Sequence, residues 1–91
     1  MVTTLEEVKV YLRVDGDEED TLITSFIIIA EEMCEGILRY SLKELTLVPE
    51  TIKQAVLYIV GQFYENREQA QIDEILATVK YLLFNFRKES W

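Results

Sequence analysis

The chain has no histidine and a single cysteine in 91 residues. Histidine is the commonest general base near neutral pH and the commonest zinc ligand, so its absence removes both chemistries in their usual form. Cys34, being alone, can form no disulfide within the chain and no Cys/His metal site. It falls in a helical stretch beside Met33, Ile37 and Leu38, with no base close in sequence to stabilise a thiolate, and reads as a small buried hydrophobe. The glycines Gly16, Gly36 and Gly61 are too dispersed to form a phosphate-cradling loop. The longest apolar run, Phe26 to Ala30, is far short of the ~20 residues that cross a bilayer, so no membrane partner is expected. The opening Met1-Val2-Thr3-Thr4-Leu5-Glu6-Glu7 lacks the basic and apolar regions of a secretory signal, and a cytoplasmic product is expected.

Positive charge is also scarce. Lys and Arg number 9 against 17 Asp and Glu, a net charge of −8. The excess lies wholly in residues 1–50, which hold twelve acids and four bases, whereas residues 51–91 hold five of each. Binding to a nucleic-acid backbone requires a basic surface that displaces condensed counterions. The first half would instead repel DNA.

What the chain does contain is a high proportion of apolar residues, 49% beside 29% charged, with helical spacing throughout. That composition fits one folded domain spanning 1–91. The spacing predicts an all-α bundle of four helices, at about 4–13, 18–39, 50–67 and 72–86.

The organising element is the third. Ile52, Ala55, Val56, Ile59, Val60 and Phe63 recur at the intervals of one continuous helical face, and Pro49 suits its first turn because the missing N–H has no helical acceptor there. The first helix opens on Thr4-Leu5-Glu6-Glu7, the pattern of a capping box, and carries Leu5, Val8, Tyr11 and Leu12 as its stripe with Val10 off it. Val14-Asp15-Gly16-Asp17 then reads as a turn, with Gly16 free to take positive φ and Asp17 placed to cap the second helix. The alternating acids Asp15, Asp17 and Glu19 suggest calcium as an alternative, but it is not expected, because Asp20 and Phe26 stand where an EF-hand needs glycine and glutamate.

The second helix buries a face running from Leu22 and Ile23 to Ile37 and Leu38, with Glu31, Glu32 and Glu35 on or beside the other face. Residues 40–48 read as a loop with room for one helical turn. Ile72, Ile75, Leu76, Val79, Leu82, Leu83 and Phe86 form the stripe of the fourth helix, with acids near its start and Arg87 and Lys88 near its end.

Nothing in this pattern carries catalytic chemistry. Glu31 and Glu35 are paired carboxylates, but an acidic stripe on an exposed helix face is ordinarily a solvated surface. No enzymatic activity, metal or cofactor is expected. Several apolar residues instead fall off the core stripes: Ile28 lies opposite the buried face of the second helix, Leu57 and Tyr58 point away from that of the third, and Tyr81 and Phe84 do so in the fourth, with Trp91 at the end. Taken together they predict a second packing surface, formed between chains.

The order of features resembles the small helical head–tail connector, or adaptor, proteins of tailed phages and prophages, often labelled DNA-packaging proteins. The resemblance is carried by Thr4-Leu5-Glu6-Glu7-Val8-Lys9, by Leu12-Arg13-Val14-Asp15 with Asp20, Leu22 and Ile23, and by Pro49 with Ile52-Lys53-Gln54-Ala55. Tyr64-Glu65-Asn66-Arg67-Glu68, the most specific piece, and the closing Leu82-Leu83 with Phe86-Arg87 complete it. Where the family often has a proline before an aromatic and arginine, this chain has Asn85-Phe86-Arg87.

The resemblance implies a helical subunit that joins like copies into a ring, dodecameric in the assembled connector. Such a ring docks beneath the portal protein at the head vertex and meets a stopper or tail-completion protein on its other side, with DNA passing through the centre. The implied location is the virion's head–tail junction, after synthesis in the bacterial host. Carried onto this chain, Tyr64, Asn66 and Arg67 are expected to fix the exit of the third helix, and Phe86, Arg87 and Trp91 to form the portal-facing end, an aromatic and arginine cluster typical of interface anchors. The alternative from another class is a stand-alone helical module, or small regulator, that captures one partner helix.

Overall fold

A computed structural model of the chain describes residues 3–66, 71–84 and 86. Its elements are α1 (Leu5–Leu12), α2 (Asp20–Leu38), a single 3-10 turn (Leu42–Glu44), α3 (Glu50–Glu65) and α4 (Ile72–Leu83), with no strand among the described residues. The four expected helices are present, each slightly shorter than its apolar pattern, as fraying ends dictate. The body measures 45 × 30 × 17 Å.

Local chemistry sets the helix ends. Thr4 Oγ1 accepts from the Glu7 N–H while Glu7 Oε1 accepts from the Thr4 N–H, both at 3.1 Å, completing the capping box. The backbone bond to Thr4 and then the Lys53 ammonium, 3.1 Å from the Glu7 carboxylate, hold the Glu7 pKa below its ordinary value. A second box, Ser41 with Glu44, fixes the 3-10 turn inside the expected loop. Pro49 sits just before α3, where its carbonyl accepts from the N–H groups of Ile52 and Lys53.

The turn between α1 and α2 departs from expectation. Gly16 does not have positive φ; Arg13, which ends α1, does, at 62°, and Arg39 ends α2 in the same way at 68°. Nor does Asp17 cap α2, whose N-cap position is Glu19 with no side-chain cap bond. Asp17 turns instead toward Lys9, which lies 3.4 Å from it and 2.8 Å from Asp20. Those carboxylates, Asp20 first, raise the Lys9 pKa. The short α1 is thereby tied to the start of α2.

The core is organised about α3, which packs most extensively on α2, next on α4, and also touches α1. Ile52, Ala55, Val56, Ile59 and Val60 are fully buried, as the spacing requires, against Ile23, Ile27, Ala30, Cys34 and Leu38 of α2 and Ile75, Val79 and Leu83 of α4. Phe63 stacks on Phe26 with ring centroids 5.8 Å apart. Flanked by three helices, α3 buries more than one stripe. Its Gly61 is covered by the Tyr11 ring, whose Cε2 would lie 3.2 Å from an added Cβ.

Candidate protein–protein interface

The residues expected to face another chain divide into three groups. Ile28, Tyr81 and Phe84 are exposed by 48%, 84% and 63% respectively. They lie on the outward faces of α2 and at the end of α4. Leu57 is buried in the subunit itself, and Tyr58 and Phe86 are partly covered by it. Arg67, Arg87 and Trp91 lie outside the described residues.

Within the second group, Leu57 corrects the expectation. Leu57 is only 9% exposed and belongs to the core. A helix with one buried face would leave it in water, but α3 has neighbours on several sides and closes over it. Tyr58 is half-buried against the same cluster and borders a small polar cleft with Gln62 and Gln71. Phe86 also packs on the core, and its carbonyl accepts a 2.9 Å hydrogen bond from the Tyr40 hydroxyl. That bond holds the chain after α4 against the end of α2.

At the exit of α3, the Tyr64 hydroxyl donates to Glu19 Oε1 at 2.5 Å. The Asn66 N–H donates to the Gln62 carbonyl at 3.0 Å and caps the helix. Both act within the subunit.

Ile28 stands at the edge of a groove of about 330 Å³ between the outward face of α2 and the segment leading to α3. Leu42, Leu45 and Val48 supply its other apolar walls, Glu31, Glu32 and Glu35 line its α2 side, and Lys43 of the 3-10 turn lines the opposite side, leaving the groove acidic in balance. Glu35 has a structural duty: Oε2 accepts from the Leu42 N–H at 2.7 Å and from the Ser41 hydroxyl at 3.2 Å. With the Ser41–Glu44 box, this pins the far wall of the groove in place. Burial, with Glu31 and Glu35 adding negative charge, pushes the nearby Cys34 thiol up to about 12. It is therefore protonated and inert at neutral pH.

Sequence reasoning missed Leu47, which is more exposed than any other large apolar side chain described, and Ile29. Ile27-Ile28-Ile29 carried a signal for the latter, since three successive helical residues cannot share one face. Leu47 had no periodic pattern to betray it.

Among the described residues no group of three Asp, Glu, Cys or His side chains is arranged to hold a metal, and no helix is long and apolar enough to cross a membrane. The described residues expose large apolar side chains on α1, on the outward face of α2, in the segment before α3 and along α4. Residues 2–89 match the family model of the phage gp6-like head-tail connector protein. No curated protein and no solved structure matches the chain.

Proposed function

Because the chain belongs to the phage gp6-like head-tail connector family, we propose that it is a structural subunit of a connector ring that docks on the portal protein and links the DNA-filled head to the tail. Copies of itself, the portal, and a stopper or tail-completion protein are its partners in this reading. DNA passes through the ring without being gripped, in keeping with the acidic first half.

The observation that supports it most is the exposure of Ile28, Tyr81 and Phe84 around a core that is otherwise well filled. Large apolar side chains grouped on two faces of a small subunit mark surfaces that another protein covers. Phage carrying Tyr81→Glu together with Phe84→Glu should fill heads with DNA yet leave them without tails in electron micrographs of lysates. Normal numbers of tailed particles would overturn the reading.

A further inference from the structure

We propose that the ridge formed by Lys80, Tyr81 and Phe84 on α4 of one copy seats in the acid-edged groove on α2 of the next copy. The inference rests on the ring reading above and names the two faces that make the ring. The two surfaces are both partly apolar and are opposite in charge. The groove is concave, with apolar walls from Ile28, Leu42, Leu45 and Val48, and has the Glu32 carboxylate at its edge. On the ridge Lys80, Tyr81 and Phe84 are all exposed, Tyr81 by 84% and Phe84 by 63%. Neither Glu32 nor Lys80 makes an ion pair among the described residues.

Charge also argues against pairing like with like. Groove against groove would set Glu31, Glu32 and Glu35 of each copy against the other's with one Lys43 apiece to offset them, and ridge against ridge would bring together two lysines, like-charge arrangements that disfavour pairing when desolvated. Within one copy the two surfaces do not meet, because α2 and α4 each turn a buried face toward α3 and present these residues on the other side. A contact between unlike faces leaves one of each unused on every pair. It therefore propagates, and closes into a ring where the rotation per copy allows.

Paired cysteine substitutions with a short bismaleimide test this, since buried Cys34 stays silent and the unsubstituted chain serves as the control. Glu32→Cys and Lys80→Cys chains should each remain monomeric under cross-linker when alone, give a covalent heterodimer when mixed, and give a ladder of multimers when both substitutions are in one chain. Charge reversal is the independent arm: Lys80→Glu should lose association and a second substitution, Glu32→Lys, should restore it. Self-linking of either single variant would show like-with-like pairing and overturn the proposal. Rings that form without the 32–80 link would overturn these faces while leaving the ring reading intact, whereas absence of any association, even on the portal, would remove both.

Discussion

The Tyr64 hydroxyl, at the end of α3, donates a 2.5 Å hydrogen bond to the carboxylate of Glu19, 45 residues earlier at the start of α2. One short contact thus fixes the exit of the central helix against the beginning of its largest partner. Charge-assisted bonds of this length are the strong ones. Tyr64→Phe keeps the ring packing and removes only the hydroxyl. It should destabilise the subunit by about 1.5–3 kcal/mol, the range for a hydrogen bond to a charged group, with an unchanged m-value in urea unfolding.

Gly36 lies exposed in the interior of α2, and an added Cβ there meets nothing within 4 Å. Gly36→Ala should stabilise the subunit by about 0.5–1 kcal/mol through reduced unfolded-state entropy and better helix propensity. In a domain of this size that raises Tm by several degrees in a calorimetric scan.

Arg13 shows the opposite mismatch. It ends α1 with φ at 62°, a conformation that costs a residue with a Cβ roughly 1–2 kcal/mol and glycine almost nothing. After the entropy that glycine adds to the unfolded chain, Arg13→Gly should still gain about 0.5 kcal/mol. Denaturant midpoints of the two proteins check it.

These positions show how much of the molecule is legible in its sequence. The four helices, the Thr4–Glu7 box and the core face of α3 follow from spacing, because each depends on residues within a turn or two of one another. The backbone at Arg13 does not, since glycine stood nearby at Gly16 as the more natural choice. Leu57 was misplaced for a different reason: periodicity reports one buried face, but only the packing of three helices about α3 shows that a wider arc is covered. Asp17 was claimed by Lys9 across the turn, a contact between helices that no local pattern announces. Of the residues expected to face another chain, Ile28, Tyr81 and Phe84 have an exposure that was legible because they oppose their own helix's stripe, whereas the placement of Phe86 involves a bond from Tyr40, at the end of α2, to its carbonyl, which no local pattern announces.

Glu7 and Lys9 give the stability a defined pH dependence. Glu7 has its folded-state pKa lowered from an ordinary value of 4.5, so its contribution is present above that value and is lost as pH falls through the folded pKa. Lys9 has its pKa raised from 10.5, so its contribution is full below that value and is lost as pH rises through the folded pKa. The stability deficit of Glu7→Gln should therefore vanish in acid, and that of Lys9→Met in strong alkali. Urea midpoints across pH, with wild type beside each variant, measure both.

The Cys34 thiol is buried and its pKa is pushed up to about 12. In the native subunit at pH 8 its reaction with a maleimide should be slower than in the unfolded chain by at least about a thousandfold, because labelling must wait for the core to open. Rapid native labelling would mean that α2 opens easily on its buried face.

The central claim is that the apolar surface left uncovered by this subunit is covered by further copies of itself on the portal. Electron microscopy of purified portal mixed with excess wild-type protein, and separately with the Tyr81→Glu/Phe84→Glu variant, tests it most directly. A closed ring of added density on the portal's tail-facing end with wild type, absent with the variant, is the predicted result. A bare portal at saturating wild-type protein, or equal decoration by the variant, would contradict it.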